Sequence, residues 1–249
     1  MSTSESTVGP RPGLSNVADI VIAPNAAFAR LREVPTWGWA FLVVTLLGVA
    51  GSLLYIPALI HTVDASLPAK LAAMPQIAKL PPDQQQRVIS TQVNFTRTIF
   101  QLFWLFVPVQ ALLVALLQSV VMLIPNAVSG GDGTFKKYFA LSMNAQIVGY
   151  GLLSLVLGLI VVIRGASSFE EQSAVTGSAP SFALLLPGAK GFLAGFLGTL
   201  NVFALWSAAL IALGMQRVGR VAAAAAWVTS IVMLLLAACL AGWGAAQSG

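Results

Sequence analysis

Five long apolar runs, none containing Asp, Glu, Lys, Arg or His, constrain this chain more than any other feature. They lie at approximately 38–59, 98–124, 138–163, 191–213 and 221–246. An uncharged run of about 18 or more apolar residues is long enough to cross the roughly 30 Å hydrocarbon core as a helix. A transmembrane barrel would instead show alternating strands of about ten residues. The expected fold is therefore all-α: a polytopic membrane bundle of five transmembrane helices. Composition points the same way, with 57% hydrophobic and 8% charged residues against about 25% charged in soluble domains.

The polar flanks fill in the organisation. Residues 1–23 read as a polar cytoplasmic tail and 24–249 as a single membrane domain. The first 19 residues have no apolar core of the kind a secretory signal needs, so the first run is expected to act as an uncleaved insertion signal. Pro24 stands at a plausible first helical position, with Phe28 and Leu31 on one side and Arg30 and Arg32 elsewhere on the turn. Residues 24–33 thus predict a short interfacial helix ahead of Trp37 and Trp39, which favour the headgroup level. The loop 60–97 predicts a second helix that starts near Pro82 and runs into the second span. The flank 182–190 is apolar and reads either as interfacial or as part of span four.

Orientation rests on a slight basic bias. Segments 1–37, 125–137 and 214–220 carry seven Lys or Arg, and 60–97 with 164–190 carry six. Positive-inside counting then puts the N-terminus in the cytoplasm and the C-terminus outside. The location implied is a prokaryotic cytoplasmic membrane, crossed several times. The net charge of +5 is spread over loops, a pattern suited to anionic headgroups rather than nucleic acid.

Chemistry is sparse. One cysteine, Cys239, and one histidine, His61, cannot build a disulfide or a Cys/His metal site within one chain. Uncharged spans argue against a proton pump, a voltage sensor or a carrier of charged solutes. No catalytic, cofactor or metal site is expected, and the chain reads as a non-enzyme. The loop Ser129–Lys137 is glycine-rich but lacks P-loop spacing, so no nucleotide is expected; its glycines suit a tight hairpin.

Two residue classes remain. Gln110, Gln118, Asn144, Gln146 and Asn201 are polar residues inside spans, suited either to interhelical hydrogen bonds or to a site for a polar solute. At 100° per residue, Gln101, Gln110 and Gln118 do not share one helix face. Gly48 with Ser52, Gly191 with Gly195, and Ala237 with Ala241 follow the small-xxx-small spacing of packing seams. Their partner could be a neighbouring helix, another membrane protein or a second copy of the chain.

Three segments resemble the Yip1-domain family of multi-spanning membrane proteins, prokaryotic branch. They are IVIAPNAAFARLREVPTWGWAFLVV (20–44), GGDGTFKKYFALSMNAQIVGYGLL (130–153) and LNVFALWSAALIALGMQRVGRVAAAAAWV (200–228). The positions carrying the likeness are Pro24, Phe28, Gly130, Gly131, Gly133, Phe203 and Trp206. Where the family pattern leads one to expect a proline-containing element in span three, Met143–Ile147 stands instead, without a proline kink. The resemblance implies an integral membrane protein without catalytic residues, a scaffold that organises the membrane or binds partners. The alternative is a transporter or channel for a neutral or weakly polar solute. Eukaryotic members of the family act in vesicle traffic and bind prenylated GTPases, a role not carried over here.

Overall fold

The structure, a computed structural model, describes residues 12–248. All regular elements among them are helical. In chain order they are α1 (Pro12–Ile22), α2 (Pro24–Glu33), α3 (Gly38–Ala72), α4 (Pro75–Ala78), α5 (Pro82–Leu102), α6 (Val107–Val128), α7 (Phe135–Gln146), α8 (Leu153–Arg164), α9 (Gln172–Thr176), α10 (Gly191–Thr199), α11 (Val202–Val218) and α12 (Ala223–Ser248). Four helical stretches are long and apolar enough to cross a membrane: Gly38–Ala72, Pro82–Val128, Phe135–Arg164 and Ala223–Gln247.

Local sequence sets several boundaries. Pro24 and Pro82 open α2 and α5, where the missing N–H costs nothing because a first-turn donor has no intrahelical partner. Between α5 and α6 the chain tightens into a 3₁₀ turn, Phe103–Phe106, just ahead of Pro108. Proline cannot donate to the carbonyl four residues back, so the turn there is free to change pitch. α3 has 35 residues, about 52 Å at 1.5 Å per residue, well beyond the hydrocarbon thickness. Its far end runs on as a helical hairpin with α5, held by an ion pair of 2.7 Å between Arg97 and Asp64. The lone histidine lies beside this hairpin, with His61 Nδ1 3.2 Å from the Phe169 carbonyl oxygen.

The N-terminal helices pack onto the bundle. α2 has the bounds expected for it, and its Ala27, Phe28 and Leu31 are fully buried in the main core, together with Ile20 of α1. α2 packs against α1, α7 and α11, and α1 packs against α3. Part of the segment read as a polar tail is thus helix α1, whose Asn16 accepts from Arg30 Nε at 2.7 Å. Residues 1–11 of that segment lie outside the described residues.

The fourth expected span is two helices, not one. α10 ends at Thr199 and α11 begins at Val202. The pair lies antiparallel along α12, with α10 on its C-terminal half and α11 on its N-terminal half. The segment before α10 returns to the break, where Ser181 and Asn201 form an antiparallel bridge. Phe182–Leu185 is a short 3₁₀ helix with no buried residue.

Small residues mark the closest helix contacts. α3 meets α8 most tightly at Gly51, where a Cβ would lie 2.3 Å from the Ser154 backbone, and at Gly158, where it would lie 2.8 Å from the Gly51 oxygen. Gly48, three residues earlier, faces Tyr150 and Val107; Ser52 is fully buried and donates to the Gly48 carbonyl at 2.6 Å. In α10, a Cβ on Gly195 would sit 2.5 Å from the Ala241 oxygen, whereas one on Gly198 meets nothing within 4 Å. Backbone cannot yield as a flexible side chain can, and overpacking costs about 1–3 kcal/mol. Gly195→Ala should therefore lower the unfolding midpoint in detergent by roughly 2–4 °C per kcal/mol lost. Gly198→Ala, in the same helix, should leave the midpoint unchanged or raise it. Equal melting of the two variants would contradict this contact.

Candidate functional site

Hydrocarbon offers no hydrogen bonds, so polar side chains inside the spans reveal what the bundle is built around. Gln118 accepts from the Ser142 hydroxyl, joining α6 to α7. Gln146 Nε2 donates to the Ala111 carbonyl at 3.1 Å, a second tie between the same helices. Ser230 of α12 donates to the Ala208 carbonyl of α11. Asn144, almost wholly buried, donates to the carbonyls of Ala140 at 2.8 Å and Thr36 at 3.1 Å, fixing α7 to the entry of α3.

Four of the five polar positions singled out from sequence share one cavity. It has a volume of about 250 Å³ and lies between α6, the α7–α8 rod, α11 and α12. Gln110, Gln118, Gln146 and Asn201 line it, with Ser207 and Ser230 among the others. Asn144 and Gln101 do not. The 80° turn between Gln110 and Gln118 is accommodated because the cavity is wide rather than because the two share a line. Gln110 is exposed, and its side chain makes no hydrogen bond among the described residues. Ala237 also lines the cavity, and Ala241 abuts Gly195.

Two backbone irregularities shape this space. The first is a π-helical segment at Ile147–Leu152, between α7 and α8. Span three carries no proline, yet its regular pitch fails where Gly149 comes against Ser207: a Cβ there would lie 2.6 Å from the hydroxyl. The second is the break at Leu200–Asn201. Asn201 Oδ1 accepts from the backbone N–H groups of Phe203 and Ala204, at 3.1 and 2.9 Å, and so caps α11. The bridging segment adds two more: Phe182 N donates to the Leu200 oxygen and Val202 N to the Pro180 oxygen, each at 3.2 Å.

α12 packs mainly on α10 and α11 and only lightly on α6. The cavity is therefore a cleft whose side opens between α6 and α12. Toward the face that carries α1 and α2 the same helices continue into the main core, where Met122, Tyr138, Leu141 and Met215 are fully buried.

That face holds the glycine-rich turn. Gly130 has φ +69° with open space around it, which explains a glycine there. Asn126 Oδ1 accepts from Gly133 N at 2.9 Å and from the Tyr138 hydroxyl at 2.7 Å. Added Cβ atoms on Gly131 and Gly133 would strike Asn126 and Tyr138, and one on Gly219 would strike Tyr138. Asp132 donates its N–H to the Gly219 carbonyl at 2.9 Å. Its carboxylate faces Arg32, Arg220 and Lys137 at 3.3, 3.5 and 3.8 Å. One turn thus ties α2 and both hairpin connections together. Of the other family positions, Pro24 opens α2, Phe28 is buried, Phe203 packs on the core and Trp206 is exposed.

Sequence reading missed Asn126, Tyr138, Ser142, Ser207, Ser230 and Gly219. Asn126 had a signal, a lone amide at the end of an apolar run. The serines had none, since serine is common in membrane helices. Among the described residues no three His, Cys, Asp or Glu lie close enough together to hold a metal ion.

These features define a class: an all-helical membrane protein with a largely apolar cleft that carries several amides, and a broken helix beside it. Within that class, the Yip1 domain family model matches residues 18–245, and the chain belongs to the Yip1-domain family. It is 25% identical over 216 residues to a protein of Bacillus subtilis (strain 168) named membrane protein YknW, covering 86% of this chain and 83% of that protein. No solved structure matches the chain.

Proposed function

We propose that this Yip1-domain protein is a non-enzymatic membrane scaffold that holds a transmembrane helix of a partner protein in the cleft between α6 and α12. The observation that carries the reading is the free side-chain amide of Gln110, exposed beside a largely apolar cleft that also holds Gln118, Gln146 and Asn201. A polar side chain facing acyl chains lacks hydrogen bonds that an adjoining helix could supply, each worth on average about 0.6 kcal/mol. In this reading α10 and α11 together make the fourth of five crossings, and residues 24–249 act as one membrane domain. The face carrying α1 and α2 is cytoplasmic, and the membrane is the prokaryotic cytoplasmic membrane.

A second reading, a transporter for a neutral or weakly polar solute, is favoured by the cavity itself, whose 250 Å³ would admit a small solute. The light packing of α12 on α6 beside the cavity favours the scaffold instead, because it leaves the cavity open along its side.

Photo-crosslinking in native membranes separates the two. A crosslinker at Gln110 or Leu234 should give one protein adduct of defined mass, and one at Leu240, which is 68% exposed on the lipid side, should give lipid adducts only. Lipid adducts at all three positions would contradict the scaffold. Solute flux into proteoliposomes, blocked by bulky labels at Gln110, would support the transporter. Orientation has its own measurement: reporters inserted after Gly130 should read cytoplasm, and those fused after Gly249 should read outside. A cytoplasmic signal at Gly249 would exclude five crossings.

A further inference from the structure

Away from the cleft, a groove of about 560 Å³ runs between α2 and α11, lined by Asn25, Ala29, Arg32, Glu33 and Arg217. We propose that this groove binds the phosphate of an anionic lipid headgroup, independently of the scaffold reading. Two guanidinium groups from separate helices converge on it. α2 cannot slide, because Ala27, Phe28 and Leu31 are buried beneath it and Arg32 is held toward Asp132. Guanidinium groups present planar forks of donors that match phosphate oxygens in pairs, and the Asn25 amide adds another donor.

Charge on this face favours an anion. The described residues here include the bases Arg30, Arg32, Lys136, Lys137, Arg217 and Arg220 and the acids Asp19, Glu33 and Asp132. Arg30 pairs with Asp19, and Asp132 serves Arg32, Lys137 and Arg220. Lys136 and Arg217 are left with only Glu33 to oppose them. Arg217 is exposed and forms no ion pair among the described residues. Glu33 lines the same groove, so one phosphate charge, not several, suits the site.

The position identifies a lipid rather than a soluble anion. Immediately after α2 the chain passes exposed Trp37 and Trp39 at the start of α3, residues that sit at headgroup depth. Basic pockets between helix ends at that depth meet the headgroups of anionic lipids directly.

The test is the unfolding midpoint of the full chain in detergent, with phosphatidylglycerol, phosphatidylcholine or soluble glycerol phosphate added at equal concentration. Phosphatidylglycerol should raise the midpoint by several degrees more than phosphatidylcholine, and glycerol phosphate should not. Arg217→Gln should melt like the wild type without lipid yet lose at least half of that increment. Lys79→Gln, on the opposite end of the bundle, should keep it. An equal increment in Arg217→Gln, or no preference between the two lipids, would overturn the site. Reproduction of the shift by glycerol phosphate would overturn its assignment to lipid.

Discussion

A backbone amide at membrane depth has no water to bond, so a helix can be interrupted there only if the protein closes every hydrogen bond itself. The break at Leu200–Asn201, inside the apolar run 191–213, carries several such hydrogen bonds around it. Asn201 caps α11, and residues 180–182 come back to add two backbone hydrogen bonds across the break. Once that is done, α10 and α11 need not be collinear. Each follows its own half of α12, α10 at a glycine contact with Ala241 and Ala245, α11 through the serine bond to Ala208.

The cleft follows from the same constraint. α12 is committed to α10 and α11, and α6 is committed to α7 by Gln118 and Gln146. Only light packing then draws α12 and α6 together, because helices in lipid gain little from meeting unless packing or hydrogen bonds attract them. At the opposite end the glycine turn works against opening. Asn126, Tyr138 and Asp132 join α6, α7, α2 and the α11–α12 connection around glycines that leave no room for a Cβ. The bundle is tied at one end and parted along one side.

Much of this was legible in the sequence, and the exceptions have physical reasons. Uncharged runs gave the long helices because hydrocarbon excludes charge whatever the packing. Pro24 and Pro82 gave helix starts because proline acts locally. The break in span four had no such signature: Leu200–Asn201 sits in an unbroken apolar run, and the segment that bridges it comes from residues some twenty positions away. The π segment was hidden for a similar reason, since the contact of Gly149 with Ser207 joins two separate helices. Four amides of the cleft were visible as intramembrane polar residues, but their convergence depends on tertiary packing. Angular spacing along α6 alone could not show that Gln110 and Gln118 reach one cavity. The amphipathic pattern of α2 was clear, and whether its apolar face meets lipid or protein was not encoded in that pattern.

The central claim is that the cleft opens sideways to lipid and not upward to water. A spin label at Gln110→Cys, in a Cys239→Ser background because Cys239 is exposed, measures this in reconstituted bilayers. Collision with oxygen, which concentrates in hydrocarbon, is compared with collision with a water-soluble nickel chelate. The account predicts strong oxygen and weak nickel collision at position 110, matching a label at lipid-facing Leu117. Strong nickel collision at position 110 would mean a water-filled passage, and the lateral cleft would be wrong.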